Sequence, residues 1–198
     1  YSPTQPIPTK PRAFDGTGLT IDDLIDFTPE LRAEAIQIVS RYRLGPIFTP
    51  PSVSRAEGPI ATLTMGAQAA ATNWPGGSYD PETGIMYVYS NTLTRLLILG
   101  NDPKRSDMDF INQGGGGDTG GGGSSPGCNL MPCAITVQGL PFVKPPWGRI
   151  SAIDLNKGEM LWQIAHGETP DAVKNHPALK GVTVPRTGRP GGAGGSSG

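Results

Sequence analysis

The stretch Ala152-Ile-Asp-Leu-Asn-Lys-Gly-Glu-Met-Leu-Trp162 decides the fold of this 198-residue chain. Apolar residues lead into an acidic turn, a glycine ends the turn, and a second apolar run closes on tryptophan. This pattern predicts a β-hairpin whose turn covers residues 154–158. It also predicts that the second strand buries the Trp162 indole, since Trp can remove a large apolar area from water.

An Asp-to-Gly turn of the same length recurs upstream, in Tyr79-Asp-Pro-Glu-Thr-Gly-Ile-Met-Tyr87. We expect residues 78–79 and 85–89 to pair across it as another hairpin. Two copies of one turn signature indicate repeated sheet units, as in a β-propeller. Neither copy carries chemistry, so both describe the scaffold.

The composition excludes several function classes. With 16 basic and 17 acidic residues the formal charge is -1, so there is no electrostatic case for nucleic acid or an anionic membrane surface. The 29 glycines and 21 prolines, about a quarter of the chain, indicate long loops and insertions in a folded protein. No apolar run approaches the roughly 20 residues that span a bilayer.

The two ends and the two cysteines carry weaker signals. The start, Tyr-Ser-Pro-Thr-Gln-Pro, has no signal-peptide pattern, and the end is a Gly/Ser tract. We expect a piece cut from a longer polypeptide, the alternative being a mature protein with ragged termini. Cys128 and Cys133 allow a local disulfide without establishing one, and they form no zinc or haem signature.

A helical insertion is predicted over about residues 20–44. Thr28 can cap the helix and Pro29 suits its first position. We expect the helix to continue to about Arg43 and to stop at Gly45. Its packing face would hold four residues at helical spacing: Leu31, Ala35, Ile38 and Tyr42.

A Gly-rich insertion is predicted over about residues 113–127, with eight glycines in the ten residues 114–123. A phosphate loop would need a Lys-Ser/Thr ending and a following helix, and neither is present, so this insertion is interpreted as a flexible surface loop. The tail from His166 to Arg189 is polar and turn-rich. Further strands are predicted over residues 58–65, 96–99, 134–137, 148–154 and 160–164.

Five segments, taken in order, resemble the quinoprotein dehydrogenases that use pyrroloquinoline quinone, and within them the glucose and polyol branch. Outside the Gly-rich insertion they run through most of the chain. The segments are Pro-Thr-Gln-Pro (3–6), Gly-Pro-Ile-Phe-Thr-Pro-Pro-Ser (45–52), Asn-Trp-Pro-Gly-Gly-Ser-Tyr-Asp-Pro-Glu-Thr-Gly (73–84), Pro-Pro-Trp-Gly-Arg-Ile-Ser-Ala-Ile-Asp-Leu (145–155) and Gly-Glu-Met-Leu-Trp (158–162).

The resemblance implies an all-β fold, an eight-bladed propeller of four-stranded sheets. The spacing Ala-x-Asp-x-x-x-Gly-x-x-x-Trp is similar to that family's tryptophan-docking motif, which makes Trp162 structural. At roughly 40 to 45 residues per blade, residues 1–198 would hold two or three blades of a single propeller domain, with a helical insertion and long loops. Such a partial ring needs the remaining blades or a partner chain for stability.

The resemblance also implies a cofactor-binding role for Asn73 and Trp74. The Asn73 amide can donate to and accept from the oxygens of the quinone, and Trp74 would lie beside it as an apolar wall or a backbone donor. The small residues before them, 66–72, let a planar ligand approach the backbone. The alternative is that Asn73 caps a turn and Trp74 fills a core.

Other candidates are weaker. We expect Trp147 to pack between blades rather than near the ring axis, and no catalytic duty from His166 or His176. Three arginines could meet cofactor carboxylates, although solvated surface is the expected place for them: Arg149, Arg186 and Arg189.

The chemistry that the resemblance implies is oxidation of a sugar or alcohol at a quinone carbonyl polarised by bound calcium, with a carboxylate taking the hydroxyl proton. The family's calcium ligands and catalytic carboxylate lie upstream of the matched portion, so no catalytic or metal-ligating residue is assigned to this chain. Electrons would pass to a quinone or cytochrome in a bacterial periplasm or at its membrane.

Two other functions remain open. A propeller scaffold without cofactor could bind protein or carbohydrate, and Trp162 does not discriminate against it because a docking tryptophan serves both. A self-standing small β domain with a helical arm also fits the length. Asn73 next to a run of small residues favours the enzyme.

Overall fold

The computed structural model describes residues 9–16, 18–46, 48–65, 72, 76–92, 94–113 and 135–189. Within these residues strands are the main regular structure and the helices are short. The helices are α1 (Pro29–Val39) and α2 (Asp171–Lys174), with 3-10 turns at Ile21–Asp23 and Pro177–Leu179. The strands are β1 (Thr62–Met65), β2 (Gly77–Asp80), β3 (Ile85–Asn91), β4 (Thr94–Leu97), β5 (Leu99–Gly100), β6 (Ile111–Asn112), β7 (Thr136–Val137), β8 (Leu140–Pro141), β9 (Gly148–Asp154) and β10 (Glu159–Ala165).

The largest sheet in this part of the chain has four antiparallel strands in the order β10-β9-β3-β2. Apart from the connection between β3 and β9, the spatial order follows the chain order, as in an up-and-down blade. That connection, residues 92–147, carries β4 to β8 and holds the Gly-rich insertion, which lies outside the described residues. β4 pairs with β1, β5 with β6 and β7 with β8.

Both predicted hairpins are confirmed, and their turns share one construction. The Asp154 carboxylate accepts the backbone N–H of Asn156 at 2.9 Å and of Lys157 at 3.1 Å, and Gly158 follows with φ +66°. Asp80 accepts the N–H of Glu82 in the same way, and Gly84 has φ +72°. The aspartate therefore closes the turn through its side chain, and the glycine supplies the left-handed backbone that ends it.

The predicted burial of the Trp162 indole is wrong for this chain. Trp162 is 41% exposed, and its ring lies beside that of Tyr87, with centroids 5.9 Å apart. Ile164, on the same face of β10, is 52% exposed. No element in the described part of the chain covers this face of the sheet, which we call the open face and define by Trp162, Ile164 and Tyr87.

The main hydrophobic core lies away from that sheet face. Its largest side chain is Trp147, which is fully buried, meets the Phe27 ring edge-on at 6.4 Å and donates its indole N–H to the Val143 carbonyl at 2.8 Å. Trp147 shares this core with residues of the helix region, of the 92–147 connection and of the tail, and its expected packing between blades stays a prediction. We call this cluster the accessory core: Leu19, Leu24, Ile25, Leu31, Ala35, Val39, Leu63, Val137, Leu140, Phe142, Val143, Trp147, Val173 and Leu179.

α1 begins where predicted and ends earlier. The Thr28 hydroxyl accepts the N–H of Leu31 at 3.2 Å, and Pro29 takes the first helical position. The predicted end at Arg43 is wrong because the Arg43 backbone pairs with the chain beside β1: its N–H donates to Ala61 O and its carbonyl accepts from Leu63 N, both at 2.9 Å. Among the predicted face residues, Leu31 and Ala35 are buried, whereas Ile38 and Tyr42 are only partly buried and Val39 completes the buried stripe.

The tail is more structured than its polar sequence indicates. Val173 on α2 and Leu179 in the following 3-10 turn are buried in the accessory core. Thr187 accepts the backbone N–H of Trp147 on its carbonyl at 2.7 Å. Isolated apolar residues in a turn-rich stretch thus anchor it, a signal without the periodicity that reveals a helix or strand.

Candidate functional site

The predicted cofactor residues, Asn73 and Trp74, lie outside the described residues, as do Cys128 and Cys133. Thr72 and Gly76, which flank Asn73, Trp74 and Pro75 in sequence, are described. Gly77 pairs with Val88. The cofactor segment therefore enters β2 at the end of the sheet where β3 finishes.

The same end of the sheet gathers four chain connections. Asn91, the last residue of β3, pairs with Gly148, the first of β9, and Ala165, the last of β10, pairs with Arg149. The 92–147 connection therefore leaves and rejoins the sheet at the end where, in sequence, Asn73 and Trp74 precede β2. We call this the site end.

Thr72 is tied to β3. Its hydroxyl donates to the Tyr89 carbonyl at 2.8 Å. Upstream, Met65, the last residue of β1, pairs with Thr94 of β4. The stretch of small residues thus runs between a point fixed on β4 and a point fixed on β3.

Two glycines complete the entry to β2. Gly76 has φ +70°, which side chains rarely adopt, and a Cβ at Gly77 would collide with the Tyr87 carbonyl. The chain after Asn73 and Trp74 therefore has no side chains at two successive positions. A backbone without side chains leaves room for the close approach of another group.

Tyr89 supplies an aromatic side chain near the site end. Its hydroxyl donates to Asn91 Oδ1 at 2.5 Å, and its ring meets the His166 ring edge-on with centroids 5.1 Å apart. Burial raises the pKa of Tyr89 above its ordinary value of 10.0, although the hydrogen bond to Asn91 opposes this shift. Tyr89 is therefore a neutral, fixed wall at neutral pH.

A buried polar cluster lies at the same end, where the 92–147 connection leaves β3 and rejoins β9. Asp15 Oδ1 lies 3.8 Å from Arg149 Nη1, and the two side chains are only 5% and 13% exposed. The Thr92 hydroxyl donates to Asp15 Oδ1 at 2.9 Å, and the Thr92 N–H donates to the Trp147 carbonyl at 2.7 Å. Arg149 also donates to the Thr92 hydroxyl and to the Pro146 carbonyl.

The expected solvated position of Arg149 is therefore wrong, and so is its availability to cofactor carboxylates. Burial raises the pKa of Asp15, while the Arg149 charge and the hydrogen bonds from Gly16 and Thr92 oppose this. Burial likewise lowers the pKa of Arg149 against the attraction of Asp15. For both groups burial has a larger effect on the pKa than the ion pair. Because the two side chains are buried and paired with each other, this cluster is an internal structural contact. Asp15 was missed because it sits in a stretch with no periodic pattern.

The other two arginines are exposed. Arg186 pairs with Glu168 at 3.1 Å, and the Arg189 backbone N–H donates to the His166 carbonyl at 2.8 Å. Across the described ranges no group of three or more His, Cys, Asp or Glu side chains could hold a metal ion. No helix in those ranges has the length and hydropathy to cross a bilayer.

Comparison with known proteins assigns the chain to a family. The model of the PQQ-type glucose/ethanol/alcohol dehydrogenase β-propeller domain matches residues 1–197. The chain belongs to this family. The resemblance to the quinoprotein dehydrogenases is thereby confirmed, and a mostly stranded structure with few helices fits an all-β propeller fragment. The number of blades stays a prediction.

Curated relatives are similar at low identity. The chain is 28% identical to the glycerol dehydrogenase large subunit of Gluconobacter oxydans (strain 621H) over 82% of its length and 23% of the relative. It is 24% identical to a probable quinate dehydrogenase (quinone) of Xanthomonas campestris pv. juglandis, over 86% of the chain and 21% of that protein. It is 29% identical to the quinoprotein glucose dehydrogenase of Escherichia coli (strain K12), over 64% and 16%. The chain thus spans less than a quarter of each of these relatives.

Proposed function

We propose that this chain is a sector of a propeller that oxidises a sugar or alcohol with pyrroloquinoline quinone and passes the electrons to a quinone or cytochrome. The observation that carries the proposal is the site end, where Thr72 is bonded to β3 and two glycines lead into β2. Asn73 and Trp74 stand between these two points in sequence. Family membership supplies the class of chemistry. Asn73 and Trp74 supply part of the cofactor wall.

The open face supports the partial-ring part of the proposal. A sheet of a propeller is stabilised by its neighbours, because each blade covers the apolar face of the next. Trp162 and Ile164 are 41% and 52% exposed on a face that nothing in the described residues covers. The remaining blades, or a partner chain, are the proposed cover, and the chain by itself would then be inactive.

The proposed site divides the chemistry between this chain and the rest of the protein. Pyrroloquinoline quinone, when bound, accepts the hydride that leaves the alcohol carbon. The Asn73 amide would hold its oxygens by donating and accepting hydrogen bonds, and Trp74 would exclude water from one side. Calcium does not fit the described residues, which offer no cluster of three acidic side chains. Its ligands and the base are expected in the remaining blades.

The relatives narrow the proposed substrate and location. They are named for glycerol, quinate and glucose, all of which carry several hydroxyl groups. A polyhydroxylated substrate is therefore the first choice for the assay. Because these relatives are bacterial, we place the protein in the periplasm or on the periplasmic side of the membrane.

Dye reduction and cofactor binding by the complete polypeptide test this function. The protein is loaded with pyrroloquinoline quinone and calcium, and a panel of sugars and alcohols is screened with an electron-acceptor dye. Asn73→Ala should weaken quinone affinity about five- to tenfold, the loss expected for one hydrogen bond. Asn156→Ala, in the hairpin turn at the other end of the sheet, is the matched control and should leave affinity unchanged. Equal affinities in all three proteins remove Asn73 from the site.

A cofactor-free scaffold is the second candidate, and the open face is the observation that favours it, since the exposure of Trp162 is independent of any cofactor. Such a scaffold would bind protein or carbohydrate and reduce no dye. Complete polypeptide that binds no quinone in equilibrium dialysis would establish this second function over the first.

A further inference from the structure

We propose that the buried polar cluster holds one internal water molecule, bound by Asp15 Oδ2, Ser90 Oγ and Arg149 Nε. All three atoms are buried, and within the described residues none of them has a hydrogen-bond partner. Proteins satisfy the large majority of their buried polar atoms, because an unpartnered one costs free energy. The inference is independent of the proposed function, since it depends on this cluster alone.

The three side chains meet on one face of the four-stranded sheet. Ser90 on β3 and Arg149 on β9 are direct partners in the antiparallel pairing, so their Cβ atoms lie on the same face, about 5 Å apart. Asp15 lies over that face, since its Oδ1 accepts the Thr92 hydroxyl at 2.9 Å and is 3.8 Å from Arg149 Nη1. The Ser90 hydroxyl is also among the groups that oppose the rise of the Asp15 pKa, which places it beside that carboxyl.

The rest of the cluster is buried and already hydrogen-bonded. Ser90 is fully buried, and the Asp15 side chain is only 5% exposed. Asp15 Oδ1 accepts the Gly16 N–H at 2.7 Å as well as the Thr92 hydroxyl, and Arg149 Nη2 donates to that hydroxyl. The three unpartnered atoms are therefore what the protein's own groups leave unsatisfied at this place.

The donors and acceptors among these atoms match water and disfavour an ion. The Arg149 Nε–H can only donate, the Asp15 carboxylate oxygen accepts, and the Ser90 hydroxyl can do either. A guanidinium repels a cation and a carboxylate repels an anion, so neither kind of ion suits a site that contains both. A water molecule can accept from Arg149, donate to Asp15 and bond Ser90, and about three hydrogen bonds are usual for a buried water.

Such a water joins three segments that are distant in sequence: the N-terminal segment, β3 and β9. The 3.8 Å between Asp15 Oδ1 and Arg149 Nη1 is longer than a direct charge-assisted hydrogen bond, which is about 2.8 Å. The ion pair is therefore loose, and a water between the other atoms of the same two side chains adds a second link.

A crystal structure of the complete polypeptide, at a resolution that shows ordered waters, tests the site directly. We expect one water peak within about 2.7 to 3.2 Å of Asp15 Oδ2, Ser90 Oγ and Arg149 Nε. A direct hydrogen bond between Ser90 and Asp15 with no such peak would overturn the inference. A metal ion or an anion at this position would overturn it as well.

Hydrogen exchange in the same protein gives a second readout. Ser90→Ala removes one of the three partners of the water, and should speed exchange of the backbone amides of residues 88–92 about fivefold, the effect of one hydrogen bond. Ser54→Ala is the matched control. Ser54 Oγ is likewise buried and unpartnered in the described part of the chain, but its residue lies beside β5, where its N–H donates to the Leu99 carbonyl at 2.8 Å. This variant should not speed exchange of the amides around residue 54.

The pair of serine variants distinguishes a bound water from a hydroxyl that is merely buried. Faster exchange in Ser90→Ala, without faster exchange in Ser54→Ala, supports the water. Exchange in Ser90→Ala that is as slow as in the parent overturns it, because the hydroxyl would then have had no partner to lose. Equal acceleration in both variants also overturns it. If Ser90→Ala does not fold, the crystal structure of the parent protein decides.

Discussion

Two tryptophans mark two regions that solve the problem of apolar surface differently. Trp147 is fully enclosed, with its indole N–H satisfied by the Val143 carbonyl. Trp162 lies on a regular four-stranded sheet, yet it is 41% exposed and touches one ring, that of Tyr87. The less regular region, built from a helix, short strands and a tail, is the one with a closed core. Regular strand pairing satisfies the backbone, but burial of a sheet face needs a second layer.

Replacing each tryptophan by alanine should give the largest effect and the sharpest form of this comparison. Trp147→Ala should lower the free energy of unfolding by about 3 to 5 kcal/mol, because it empties a closed core and leaves the Val143 carbonyl without its donor. Trp162→Ala should cost less than half of that in this chain. Urea unfolding followed by circular dichroism measures both. Equal costs would mean that the open face is covered in solution.

The complete polypeptide extends this test. There the cost of Trp162→Ala should rise towards that of Trp147→Ala, because the next blade would bury the indole. An unchanged, small cost would break the assignment of the open face as a blade contact. Trp147→Ala serves as the internal standard, since its surroundings lie within this chain.

The buried ion pair of Asp15 and Arg149 links the N-terminal segment to β9. Its disruption should give the next largest loss of unfolding free energy. Arg149→Met leaves the Asp15 carboxylate buried without a counter-charge, which costs about 3 kcal/mol. The double variant Asp15→Asn, Arg149→Met should recover much of this loss, because it removes the uncompensated charge and keeps an apolar chain of similar length. Urea unfolding at pH 7 checks both. A single variant as stable as the parent would show that the pair fastens nothing.

The hairpin turns should respond less, and independently of either core. Gly158→Ala places a side chain at φ +66° and should cost about 1 kcal/mol. Gly84→Ala meets the same strain at φ +72° and should cost more, because its Cβ would also displace the Asn156 side chain. Thermal unfolding ranks the two. The reverse order would mean that the contact between the two turns carries no weight.

The pH dependence at Asp15 should be the smallest effect. Since burial raises the folded-state pKa, the folded protein takes up a proton more readily than the unfolded chain. The stability that this group contributes is thus fully present below its ordinary pKa of 3.8 and is lost as the pH rises through the folded-state value. The free energy of unfolding of the parent protein should therefore rise relative to that of Asp15→Asn as the pH is lowered from 7 towards 4. A fall in the stability of the parent relative to Asp15→Asn on acidification would contradict the sign.

The turns and strands of the sheet could be predicted because they depend on local rules. An aspartate that bonds its own backbone and a glycine with positive φ leave a signature in four or five consecutive residues, and the strands of both hairpins lie where that signature places them. The start of α1 is local in the same sense, since Thr28 caps the residue three positions later.

The accessory core could not be predicted, because its contacts join distant parts of the chain. Val173 and Leu179 are single apolar residues in a polar tail, and only the folded chain shows that they belong to the same core as Leu31 and Trp147. Arg43 leaves the helix for a partner, Ala61, that lies eighteen positions later. At the candidate site, Asn73 was predicted by resemblance and stays a prediction, whereas the hydrogen bond between Thr72 and Tyr89 has no sequence pattern.

The place where the 92–147 connection leaves β3 and rejoins β9 has a consequence for how the length of this protein can vary. Thr92 and Trp147 are 55 positions apart in sequence, yet the N–H of Thr92 donates to the carbonyl of Trp147 at 2.7 Å. The two ends of the 92–147 connection therefore lie side by side between β3 and β9, as the two ends of a tight turn do. The entropy of closing a loop grows only slowly with its length. The segment within this connection can therefore lengthen or shorten while the four-stranded sheet keeps its register.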